Sequence, residues 1–244
     1  MNKVTLRMDD VGASTKHFEV YSKVPFGNFL FLKYLPYFRA WGVYNEINFD
    51  LWDEIIDFLV KENAKLSIAI TASWVDKDGS LIPFPEKFPK EAKIIKQAAE
   101  EKILEISNHG LTHCVVGKHL PRLFSSNRRY HREFWDWLPY DTHYSNLYNS
   151  IEIFKNWLGY SPKVLVPPGN VYSTHTIRAC EKLNFKAINA SKIIENSANI
   201  KILNNSNVFA FHDRDIVLNG LQWLKEKYKE RSLEYKFKFL EELI

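Results

Sequence analysis

Two histidines four positions apart, His109 and His113, are the residues of this chain whose spacing points most directly to chemistry. They close the run Ile106-Ser107-Asn108-His109-Gly110-Leu111-Thr112-His113, which is apolar and strand-like before it turns polar. In an extended chain the two side chains would lie roughly 13 Å apart, at about 3.3 Å per residue. A single metal ion with ligands at about 2.1 Å cannot bridge that gap. One helical turn after the strand, which Gly110 eases, brings positions i and i+4 to about 6 Å. The expected local structure is therefore strand, turn, ligand pair. Gly110 also stands where the metalloprotease form of this motif carries its Glu, so peptidase chemistry is not indicated.

Three further polar clusters fall at the ends of apolar runs. Val4–Met8 alternates and stops at Asp9-Asp10-Val11-Gly12, which reads either as two site carboxylates at a strand end or as an Asx-type turn. Consecutive strand residues point to opposite faces, so both carboxylates converge only if the strand is ending. Val164–Val166 runs into Pro167-Pro168-Gly169-Asn170, and Val208–Phe211 ends at His212.

The elements that must position these residues alternate in type. Helices are expected from Leu51 to Lys61 with Asn48 or Asp50 as N-cap, over Pro89–Lys102, Tyr144–Leu158 and Thr174–Leu183, and through Leu218–Ile244. Strands are expected at Leu66–Thr71, Leu104–Ser107, Lys186–Ala190 and Ile200–Leu203. Strand-helix alternation implies a parallel sheet of about seven strands, closed or nearly so into a barrel. In such a barrel the carboxyl ends of the strands share one face, so Asp9, Asp10, His109, Pro168, Gly169, Asn170 and His212 would surround one site. A single domain over 1–244 is expected, with a long excursion at 13–46 and a basic and aromatic loop at 114–143.

Composition excludes several classes. With 45% hydrophobic residues in 244, the chain can bury a large core. A net charge of +4, from 33 Lys+Arg against 29 Asp+Glu, is too mild to indicate nucleic acid. Cys114 and Cys180 form no disulfide framework and read as packed thiols. No run is long enough for a membrane span, and Met1-Asn2-Lys3 leads straight into a strand, so a cytoplasmic location is the expectation. His17, His119, His131, His143 and His175 read as surface or loop-packing residues.

The order Asp-Asp-x-Gly, His-x-x-x-His, Gly159-Tyr160-Ser161-Pro162-Lys163 followed by a strand and Pro-Pro-Gly, then a late strand ending in His, resembles the polysaccharide deacetylase (NodB-homology) family of carbohydrate esterases. The resemblance implies a distorted (β/α)7 barrel and removal of acetyl groups from amino sugars with one divalent metal. It makes Asp9 the general base, Asp10 a metal ligand with His109 and His113, and His212 the general acid. Two histidines and one carboxylate suit zinc first, and also cobalt, nickel or iron. The family's third motif has an Arg where this chain has Val166, and its fourth has an Asp where this chain has Asn189. Arg7, on the same strand face as Asp9, could support the base instead, and Asp213 or Asp215 could orient His212.

The loop after His113 is rich in cations, from Lys118 and Arg122 through Arg128, Arg129 and Arg132, and then in aromatics around Trp135 and Trp137. Arg128, Arg129 and Trp135 would suit a sugar bearing phosphate or carboxylate, by bidentate pairing and by stacking on the pyranose. The same loop could instead be a solvated basic segment over a minor aromatic core. An acetylated intracellular glycan precursor is the expected substrate, with N-acetyl preferred to O-acetyl. The alternatives are a metal-dependent amidohydrolase acting on a non-sugar amide and an inactive carbohydrate-binding homologue.

Overall fold

The computed structural model describes residues 2–20, 32, 35, 45–121 and 127–244. Most of the excursion expected at 13–46, and Arg122, lie outside the described residues. In chain order the elements are β1 Asn2–Val11, α1 Thr15–Phe18, α2 Phe49–Lys61, β2 Leu66–Ile70, β3 Ser73–Val75, β4 Leu81–Pro83, α3 Phe84–Lys87, α4 Pro89–Glu100 and β5 Leu104–Asn108. They continue with α5 Tyr140–Leu158, β6 Val164–Leu165, α6 Thr174–Lys182, β7 Ala187–Asn189, β8 Lys201–Leu203, β9 Val208–His212, α7 Asp213–Asn219, α8 Leu221–Ser232 and β10 Tyr235–Phe237.

The main sheet is parallel and ordered β10-β1-β2-β5-β6-β7-β8, with β9 also on β1. β10 pairs with Asn2–Val4 of β1, and β9 pairs with Thr5–Asp9 on the edge opposite β2. Among the described residues no ladder joins β8 to β9, so the curled sheet is a half-barrel with an open seam. Arg7 bridges that seam with its side chain, reaching Asn189 on β7 and Asn205 between β8 and β9.

Two-residue periodicity sorts the strands. Leu6, Met8, Leu66, Ile68, Ile70, Leu104 and Ile106 pack outward under the helices against Trp52, Ile55, Leu59 and Ile95. Each of these buried side chains contributes about 1.5–3 kcal/mol. The alternate residues of β1, Thr5, Arg7 and Asp9, turn to the concave side. Asn48 caps α2, its side chain accepting from the Leu51 N–H at 3.0 Å. Gly159, at φ 84°, ends α5 with its N–H on the Lys155 carbonyl.

The C-terminal segment departs from the single helix expected over Leu218–Ile244. Gly220, at φ 77°, separates α7 from α8, and Tyr235–Phe237 is a strand. The edge of β1 at residues 2–4 needs hydrogen-bond partners, and an apolar pattern that suits a helix also supplies Tyr235 and Phe237 at strand spacing. Leu240, fully buried, then closes the amino end of the barrel, where the N–H groups of Leu240 and Glu241 each donate to Glu105 at 2.8 Å. The antiparallel β3–β4 hairpin was not expected, and α5 begins one turn before Tyr144. Both cysteines are buried free thiols. His143 is fully buried in the core, not at the surface.

Candidate metal centre and active site

Asp9 and Asp10 are brought to one side by a bulge within β1. The β1–β2 register shifts between Met8 and Val11, and Asp10 takes a left-handed backbone at φ 68°. The strand therefore continues to Val11, and it is this backbone reversal that turns two consecutive carboxylates toward one site. Gly12 follows at φ 72°, where an added Cβ would lie 2.6 Å from the Phe84 ring.

Asp9 is gripped from behind. Arg7, fully buried, donates Nε to Asp9 Oδ1 and Nη2 to Oδ2, both at 2.7 Å. This two-pronged pairing fixes the carboxylate plane. The remaining Nη1 donates to Oδ1 of Asn189 and, at 3.3 Å, to Oδ1 of Asn205. Asn189 thus serves the arginine, and its Nδ2 donates to the Leu203 carbonyl at 3.0 Å.

The histidine pair meets without the helical turn expected. Residues 111–114 are bends, with Gly110 at φ 85° and His113 at φ 61°. These two left-handed residues fold the chain back so that the imidazole centroids lie 5.0 Å apart. The His109 Nε2 is 3.1 Å and the His113 Nε2 3.2 Å from Asp10 Oδ1. Ordered partners hold the other ring nitrogens: His109 Nδ1 donates to the Val166 carbonyl at 2.6 Å, and His113 Nδ1 lies 2.9 Å from the Thr15 hydroxyl.

Burial pushes the His113 imidazole down to about 4 against the pull of Asp10, so the ring is neutral at pH 7. Burial works against charge on Asp10, but the bonds to His109 and His113 outweigh it and hold the carboxyl well below its usual range. Three lone-pair atoms of Asp10, His109 and His113, all within 4.8 Å of one another and all buried, therefore converge on one point. A carbonyl can only accept, so His109 Nδ1 carries a proton, and Nε2 is the ring nitrogen turned to Asp10 as a candidate ligand atom. Such a set calls for a cation, and its one oxygen and two imidazole nitrogens suit a first-row divalent metal.

His212 stands beside this centre because β9 pairs with β1 in a register that sets Asp9 against His212. Burial lowers its pKa, but Asp215 and the charges of Asp10 and Asp9 outweigh burial and raise it. Asp215 accepts the His212 backbone N–H at 2.9 Å, and its carboxylate lies 3.7 Å from Nδ1. Asp213 does not share that task. It is buried against Lys16, whose ammonium also donates to Glu46 at 2.7 Å and to the Asp10 carbonyl at 3.0 Å. One ammonium cannot neutralise two carboxylates: burial pushes Asp213 up to about 7 while Lys16 stays charged. Positions 213 and 215 are the first and third residues of a helix and diverge in direction, which is why only one of them faces the histidine.

The loop over the site forms an open groove of about 530 Å³ lined by Arg128, Arg129, Arg132, Trp135, Gly169 and Val171. Arg129 lies over the Trp137 ring at 5.0 Å. Pro168 is buried in a 3-10 turn, and Gly169, at φ 59°, sits under the Arg132 side chain. Asn170 is turned into the fold instead of the groove: its Oδ1 accepts the Ser191 N–H at 2.9 Å and the Asn205 amide at 3.4 Å. Sequence reasoning missed Thr15, Lys16, Asn205 and Glu133. Glu133 is buried, accepts the His113 N–H at 3.0 Å, and is pushed by burial up to about 7. A larger groove of about 710 Å³ lies between α2 and α8, away from these residues.

The half-barrel thus carries, at its strand ends, an Asp-His-His cluster that could hold a metal ion. The family model for polysaccharide deacetylases matches residues 44–188, and the chain belongs to that family. The matched span holds both histidines, while Asp9, Asp10 and His212 lie outside it. No curated protein matches the chain. Among solved structures it is similar to a family 4 acetyl xylan esterase from Clostridium thermocellum in complex with a cobalt ion, at 15% identity and TM-score 0.52, covering 99% of this chain and 90% of that one. It is also similar to a family 4 pseudoenzyme from Bacillus anthracis, at 11% identity and TM-score 0.53, covering 99% of this chain and 65% of that one. A third likeness is to the esterase domain of a multidomain xylanase from the hindgut metagenome of Trinervitermes trinervoides, at 12% identity and TM-score 0.52, covering 99% and 89%. At these identities the likeness is one of fold.

Proposed function

We propose that this protein is a metal-dependent deacetylase that removes an acetyl group from an amino sugar, N-acetyl in preference to O-acetyl. The observation that carries this reading is the convergence of Asp10, His109 and His113 beside an arginine-held Asp9 and the carboxylate-supported His212. A divalent ion on those three ligands, zinc first, would supply Lewis acidity toward the acetyl carbonyl and a lowered pKa for water. Asp9 takes the proton of the attacking water, with Arg7 fixing its plane. His212, whose pKa Asp215, Asp10 and Asp9 raise against burial, returns a proton to the departing nitrogen. No covalent intermediate on the chain is needed.

The arginine groove supports an anionic substrate, such as an acetamido sugar carrying phosphate or carboxylate, because Arg128, Arg129 and Arg132 converge there beside an aromatic wall. The test is elemental analysis of untagged wild type and His109→Ala, with acetate release measured on acetylated amino sugars with and without a phosphate. About one equivalent of transition metal, lost in the variant, with faster release from the phosphorylated sugar, is expected. No metal in either protein, and none taken up on titration, would overturn the reading.

A further inference from the structure

Glu133 is a buried carboxylate that the hydrolytic reading does not use. It is 1% exposed and lies against the turn that carries His113. Its Oε1 accepts the His113 N–H at 3.0 Å and the Thr112 N–H at 3.3 Å, and the Leu111 N–H also bonds it. Its Oε2 accepts the Asn146 amide of α5 at 3.0 Å. Successive N–H groups that converge in this way form a nest for an anion, and here the anion belongs to the chain itself.

The residue before it makes a matching contact. A Cβ at Gly110 would lie 1.8 Å from Glu133 Oε1, and a Cβ at Gly169 would lie 1.8 Å from Arg132 Nε. Two glycines in separate loops therefore leave room for two consecutive side chains of a third loop. Phe134, fully buried, anchors the same segment in the core beside α5. Trp135 and Arg132 of this segment line the groove.

We propose that Glu133 is a positioning residue: with Arg132 it clasps the groove loop onto the His113 turn and the Pro-Pro-Gly turn, so that the metal ligand and the groove wall are held as one piece. The metal part of this inference rests on the function proposed above, while the clasp itself does not.

The experiment compares wild type, Glu133→Ala and Glu133→Gln by amide hydrogen exchange of the metal-free protein and by zinc titration. In Glu133→Ala, exchange at 111–113 and across 128–135 should speed up roughly tenfold or more while β2 keeps its protection. Zinc affinity should fall about 10–100-fold. Glu133→Gln, which keeps the shape and one acceptor oxygen, should lie between the two, and it carries both readouts if Glu133→Ala does not fold. Wild-type exchange at 111–113 together with wild-type zinc affinity, in a folded variant, would overturn the assignment. If wild type itself takes up no zinc, the metal reading fails and the exchange rates alone decide the clasp.

Discussion

Replacing Arg7 by Met tests the argument that the base of this site is held from within the barrel. Arg7 is fully buried and Asp9 is 7% exposed, so the substitution leaves a carboxylate in a dry site with its paired guanidinium gone. Breaking a buried pair from one side costs about 3–5 kcal/mol. The Asn189 and Asn205 oxygens also lose a donor, which moves the expectation to the upper end of that range. For a chain of this size each kcal/mol corresponds to roughly 2–4 °C, so Tm should fall by about 6–20 °C. Thermal unfolding by circular dichroism on the metal-free protein reads this directly. Asp9→Leu added to Arg7→Met should recover most of the loss, because an apolar pair of similar volume removes the stranded charge. A Tm for Arg7→Met within about 2 °C of wild type, or a double variant no better than the single one, would refute the reasoning.

Two other perturbations have a defined sign. Asp215 raises the pKa of His212, so Asp215→Asn should move the basic limb of kcat/KM to lower pH, as measured in a pH profile of acetate release; an unmoved limb would remove Asp215 from the acid's support. Burial pushes His143 down to about 4. The folded state therefore stays neutral while the unfolded chain binds a proton below about 6.5, and stability is lost as pH falls from about 6.5 to about 4. That gap corresponds to at most about 3 kcal/mol, and to roughly 2 kcal/mol after allowance for solvent screening. Denaturant melts of His143→Asn should show a flatter loss over that window than wild type, and parallel curves would contradict the argument.

Much of the fold could be read from local pattern. The alternation of Val4–Met8, the capped helix after Asn48 and the strand expected over Leu104–Ser107 each carry their period within a dozen residues; the structure places the last two within a residue or two of expectation, while β1 runs on to Val11. The grouping of polar residues at strand ends was legible for the same reason. What escaped was contact between distant segments. Thr15 meets His113 across 98 positions and Lys16 meets Asp213 across 197, and no periodicity encodes such pairs. Glu133 directly follows Arg132 in a cationic stretch, and burial against backbone N–H groups, which no local pattern shows, decides its role. The choice between Asp213 and Asp215 did have a local signal, since the third residue of a helix is the one that reaches back to the cap. The C-terminal strand escaped because the open edge of β1, not helix propensity, determines its form.

The arrangement around β1 bears on how the chain is assembled. The strand β1 has β9 on the edge opposite β2, and β10 at residues 2–4, with Asn2 paired to Tyr235 and Asp9 to His212. Until residues 208–212 are synthesised, the edge opposite β2 stands open, a template for strands of other chains. Loop closure over some two hundred residues makes this a slow, late event. A nascent or truncated chain would hold its histidine ligands and still present Asp9 and Asp10 on an unfinished strand, so aggregation during synthesis, more than loss of any single ligand, is the hazard this topology carries.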